Sequence, residues 1–135
     1  MQKQMITING NNFSDLNGFY DEIERVLTKN LGWRIGRNLD AFEDILYGTG
    51  YGVFEVTDSI KLVWENFSKS QVDLGLEETR KYYESIISNI DMEPENRSYF
   101  KEKFKELNLK KGKTLCEIIV EIISERKNIE FEVHN

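Results

Sequence analysis

The chain has 135 residues, one proline, 39% apolar and 12% aromatic side chains, and a formal net charge of −6. That is the size of a single domain with enough apolar material for its own core, which excludes a disordered tail. No run of about 18 apolar residues is present, so no membrane span is expected. An acidic body repels phosphate backbones, so direct nucleic-acid binding is not expected either.

Met5-Ile-Thr-Ile8 alternates and ends at Asn9-Gly10, which predicts a short strand and a turn. Ser14 then opens a helix with Asp15, Asp21 and Glu22 in its first turns. Its apolar stripe runs through Leu16, Phe19, Tyr20, Ile23, Val26, Leu27 and Leu31, and Gly32 is placed to stop it. Residues 32–37 form a loop. Asn38 caps the next helix, which runs to Leu46 or Tyr47. Residues 48–54 are glycine-rich and read as a linker, because a dinucleotide fingerprint would follow a strand and this follows a helix.

Ile60 to Trp64 predicts a second strand, partly buried on both faces, with Trp64 in the core. Phe67 to Val72 suits one or two helical turns. A helix spans Glu77 to Ile90 and breaks at Asp91-Met-Glu-Pro94. A short helix follows, with Tyr99, Phe100, Phe104 and Leu107 on one face. Lys110-Lys-Gly112-Lys is a turn, and Thr114 to Arg126 is the most apolar helix. Ile129 to Val133 alternates as a last strand.

Strands separated by helices predict crossovers and a small three-stranded parallel sheet of the α/β class. The first and last strands each have a polar side, which places them at the sheet edges with one face mainly covered. All of residues 1–135 form one domain.

The N-terminal MQKQMITING turns polar too early for a secretion signal, so a cytoplasmic location is expected. The single Cys116 fits a reducing compartment, and beside Leu115, Ile118 and Ile119 it reads as a buried small hydrophobe. Residues 97–113 carry seven basic side chains against two acidic ones, leaving −11 on the rest of the chain. That basic stretch reads as a solvated helix and turn. An acidic remainder would attract a basic protein.

Chemistry for catalysis is scarce. The one histidine, His134, is next to the last residue, and one His with one Cys cannot build a zinc site. No metal or cofactor is expected, and no enzyme activity. Carboxylates are the remaining resource. On a helix that starts at Asn38, Leu39, Phe42, Ile45 and Leu46 share the core face, while Asp40, Glu43, Asp44 and Tyr47 point outward. Two readings of these residues stay open, a plain solvated face and a face built to meet positive charge. A third, a carboxylate-dependent metal enzyme, would use Asp40, Asp44 and Glu121.

Gly36, Asn38-Leu-Asp-Ala41, Asp44 and Leu46 resemble the central motif of the barstar family, intracellular inhibitors of secreted bacterial ribonucleases. Ile6 to Gly10 resembles the family's first strand and turn. Leu62-Val-Trp-Glu65, Phe67 and Ser70 resemble its second strand and short helix, and Thr114 to Val133 its last helix and strand. The resemblance implies a barstar-like fold with about two extra helices, residues 75–112, inserted before the last helix and strand. It also implies an immunity protein, monomeric when free, that blocks the active site of a cognate basic nuclease toxin, a ribonuclease in the first instance. Asn38, Asp40 and Asp44 match the family's motif, with Asp44 at its strongest partner-binding acid. Trp33, Arg34 and Ile35 would form the contacting loop, beside Glu43 and Tyr47, and Glu121 would supply a further acid from the last helix. Trp33 also suits a core anchor. The chain departs from the family pattern where Arg34 and Ile35 replace tyrosines and Glu43 replaces a tryptophan. Arg34 and Arg37 would oppose a cationic site or reach an acidic rim. Without a toxin partner, the extra helices would serve an interaction module that dimerises.

Overall fold

A computed structural model of the protein describes residues 4–28, 36–47, 59–89 and 91–135. Among these the chain forms β1 (Gln4–Asn9), α1 (Leu16–Leu27), α2 (Leu39–Leu46), β2 (Ile60–Glu65) and α3 (Phe67–Asp73). It continues with α4 (Leu76–Ile87), α5 (Pro94–Asn108), α6 (Leu115–Ser124) and β3 (Ile129–Val133). The sheet order is β1-β2-β3 and both pairings are parallel, with Ile6 beside Leu62 and Leu62 beside Phe131. The predicted α/β class, parallel sheet and edge positions of the first and last strands all hold.

Period-two alternation sends Ile6, Ile8, Ile60, Leu62, Trp64 and Ile129 to one face, where they join the helices in one core. On the other face Met5 is exposed and Lys61 pairs with Glu130 at 3.6 Å and Glu132 at 3.1 Å. Val63, in the middle strand, is the buried exception there. Trp64 is fully buried as expected. Its ring stacks on Phe19 at 5.6 Å, and its indole N–H donates to Ser70 Oγ at 3.0 Å. That serine lies so close to Gly10 that a Cβ on the glycine would stand 2.5 Å from Ser70 Oγ and 2.6 Å from the Asn66 carbonyl. Gly10 is therefore required by a close approach of backbone to α3.

Helix ends differ from the sequence expectation in small, physical ways. Asp15, not Ser14, caps α1: its carboxylate accepts from Gly18 N–H at 2.7 Å, so the helix starts one residue later. The helix that begins at Pro94 is the longest element among the described residues, 15 residues, rather than short. Thr114 caps α6 in a full capping box with Glu117. The predicted turn before it closes with Lys110 at φ 61°, and Lys111 and Gly112 both donate to the Glu106 carbonyl. His134 is not frayed: its N–H donates to the Trp64 carbonyl at 2.8 Å. The expected roles of Leu31, Gly32, residues 48–54 and Ile90 lie partly or wholly outside the described residues.

The α4–α5 hairpin is fixed to the rest of the fold by buried and part-buried polar bonds. Thr79 Oγ1 donates to the Gly75 carbonyl and accepts from Leu115 N–H, both at 2.7 Å. Cys116 N–H donates to the Leu74 carbonyl, and Glu78 accepts from Leu16 N–H at 2.7 Å. These bonds tie the start of α4 to the first turns of α1 and α6. Among the described residues no helix is long and apolar enough to cross a membrane.

Candidate functional site

Asn38 makes α2 a helix at the expected place. Its Oδ1 accepts from Ala41 N–H at 2.7 Å and satisfies one of the free donors of the first turn. Phe42, Ile45 and Leu46 are buried, and α2 packs on α6. At its other end the Leu46 carbonyl accepts from Asn128 at 3.4 Å. The outward side then carries Asp40 and Asp44, both exposed, and Glu43, half-buried.

These three carboxylates differ from several others among the described residues. Glu22 is bound by Arg25, Asp21 and Glu24 by Arg37, Asp73 by Lys69, and Glu121 by Lys113. Among the described residues Asp40, Glu43 and Asp44 have no hydrogen bond or ion pair to their side chains.

Asp40, Glu43 and Glu121 line one groove of about 560 Å³. Asp44 lies one turn further along α2, outside that lining. Glu121 is exposed but already occupied by Lys113. The exposed Tyr47 ring has the Arg126 guanidinium 4.0 Å from its centre. Trp33, Arg34 and Ile35 lie outside the described residues. Arg37 reaches Asp21 at 2.8 Å, Glu24 at 2.5 Å and the Asn17 carbonyl at 3.2 Å, and covers the Tyr20 ring. Its charge is matched by two carboxylates of α1.

Tyr82 and Tyr83 of α4 and Tyr99 of α5 line the groove opposite α2. Burial first, then Tyr83 and Asp40, push the Tyr82 hydroxyl up to about 12, so it remains a protonated donor at neutral pH. No local signal in the sequence marks this meeting of α2 with a hairpin some 40 residues away, a non-local contact of the kind topology alone sets. Among the described residues no group of three or more His, Cys, Asp or Glu side chains is placed to hold a metal ion.

Sheet, helices and groove define a small parallel-sheet α/β protein that presents an acidic helix face, unpaired among the described residues. The family model described as Barstar (barnase inhibitor) matches residues 3–105, and the chain belongs to that family. No match was found among curated proteins or solved structures. The family match runs from β1 into α5 and includes all of α2, whereas Glu121 and β3 lie beyond it. The family is one of ribonuclease inhibitors, and its partner is a protein.

Proposed function

We propose that this protein is an intracellular immunity protein that blocks the active site of a cognate nuclease toxin, a ribonuclease in the first instance, and is not itself an enzyme. The observation that carries this reading, beyond family membership, is the α2 face: three carboxylates held outward on a capped helix, without side-chain partners among the described residues. A phosphodiesterase site that binds RNA phosphates is lined with Arg, Lys and His, and carboxylates can take the place of those phosphates. Asp40 and Asp44 are the proposed contacts, with Asn38, Glu43, Tyr47 and the Trp33–Ile35 loop around them and Glu121 at the margin. The acidic body would steer a basic partner to this face, with association slowed by salt. Residues 75–112 are proposed as an insertion within a single domain.

Capture from the native organism's lysate, with wild type beside Asp44→Ala and identification by mass spectrometry, tests the reading. A basic nuclease retained by wild type and lost with Asp44→Ala is the expected result. The same nuclease retained equally by both would move the binding face away from α2.

A further inference from the structure

The α4–α5 hairpin has no role in blocking a nuclease as described so far, yet it forms the wall of the groove facing α2. Asp40 and Glu43 stand on one side, Tyr82, Tyr83 and Tyr99 on the other, and Glu125 at the end of α6. Lysines also reach the groove, but two are engaged: Lys103 lies 3.7 Å from Glu106 and Lys113 pairs with Glu121. Among the described residues that leaves Asp40, Glu43 and Glu125 unpaired against Lys111 alone, so the groove is short of positive charge.

One further observation points to a cation against the tyrosines. Lys103 Nζ already stands 5.4 Å from the centre of the exposed Tyr99 ring, so that ring takes a cation from its own chain. The bonds from Thr79 and Glu78 hold the hairpin in place, so the groove is formed before any partner arrives.

We propose that the hairpin is the second wall of the partner-binding surface, and that the groove takes an arginine side chain of the partner between the Asp40 and Glu43 carboxylates and the Tyr99 ring. The proposal rests on α2 being the partner-binding face. Arginine fits both walls: its planar, weakly hydrated guanidinium stacks on an aromatic ring and presents a fork of donors to a carboxylate. A lysine ammonium is more strongly hydrated and gains less from the ring.

The test titrates the whole protein with fluorescently labelled hexa-arginine and hexa-lysine peptides at low salt, read by anisotropy, for wild type, Tyr99→Ala, Tyr99→Phe and Asp40→Asn. Wild type should bind hexa-arginine more tightly. Tyr99→Ala should weaken hexa-arginine about threefold to tenfold and hexa-lysine much less, while Tyr99→Phe keeps the ring and the affinity. Asp40→Asn should weaken both peptides. Unchanged hexa-arginine binding by Tyr99→Ala, with loss in Asp40→Asn, would overturn the hairpin wall and leave the α2 reading standing. Unchanged binding in both variants would remove both. Loss at Tyr99 with none at Asp40 would place the peptide on the hairpin alone and overturn the shared groove. Tyr99 is 57% exposed, so circular dichroism of Tyr99→Ala should match wild type.

Discussion

Replacing Asp44 by alanine should make the free protein more stable while weakening its complex. Asp44 is the sixth residue of the eight-residue α2, so its charge lies toward the negative end of the helix dipole. Asp40, one turn earlier, repels it at i and i+4. No cation offsets either effect, since Asp44 has no side-chain partner among the described residues. Discounted for solvent, dipole and repulsion together amount to about 0.5–1 kcal/mol. For a chain of this length that corresponds to a midpoint raised by about 2–5 °C. Urea and thermal denaturation of Asp44→Ala beside wild type measure it, and 1 M salt should shrink the gap because screening then acts within about 3 Å. Asp40→Ala should behave differently, since Asp40 sits in the first turn, where the dipole favours it. In the complex Asp44→Ala should lose at least about 2 kcal/mol, roughly thirtyfold in affinity, because a partner cation is left desolvated and unpaired. A loss of 1 kcal/mol or more in the free protein would show that Asp44 serves the fold, and would refute the argument that it is held for a partner.

Other perturbations test the surrounding structure. Thr79→Val removes the acceptor of the buried Leu115 N–H and should cost about 1–3 kcal/mol in urea unfolding; a neutral result would mean that the hairpin is anchored elsewhere. Glu22 is 3% exposed. Its burial is outweighed by bonds from Arg25, Asn9 N–H and Asn12, which hold its carboxyl below the ordinary value of 4.5. The unfolded chain therefore takes up that proton first, and the stability it contributes is full above that value and lost as pH falls through and below it. Between about pH 5.5 and 3.5 the stability of Glu22→Gln should fall less steeply than that of wild type; parallel slopes would contradict the assignment. Burial first, and then Glu117, push the Cys116 thiol up to about 11. Iodoacetamide at neutral pH should leave it unmodified in the native protein and alkylate it in denaturant; rapid native labelling would place the thiol at the surface.

Much of the fold is legible in the chain because the local signals agree. Asn38 caps α2 where a polar residue meets an apolar repeat, and Ile129, Phe131 and Val133 alternate as β3 does. Three strands joined through helices dictated a parallel sheet. The choice between Ser14 and Asp15 as a cap was not legible, since both residues can accept a backbone N–H and only the chain path decides. Arg37 shows the same limit: its sequence position suggested conflict with a cationic partner, while the fold turns it onto Asp21 and Glu24. The acids of α2 are visible as an outward stripe, but their lack of partners among the described residues is a property of the packed chain. So is the wall of tyrosines opposite them, whose helical spacing reads equally well as core.

The central claim is that the α2 carboxylates inhibit by occupying a nuclease's cationic site. The most direct measurement adds increasing purified protein to the nuclease captured with it and follows RNA cleavage, with wild type beside Asp40→Ala and Asp44→Ala. The account predicts stoichiometric inhibition by wild type, a weaker effect of Asp40→Ala, and inhibition largely lost with Asp44→Ala although that variant is folded. Equal inhibition by all three proteins would contradict it.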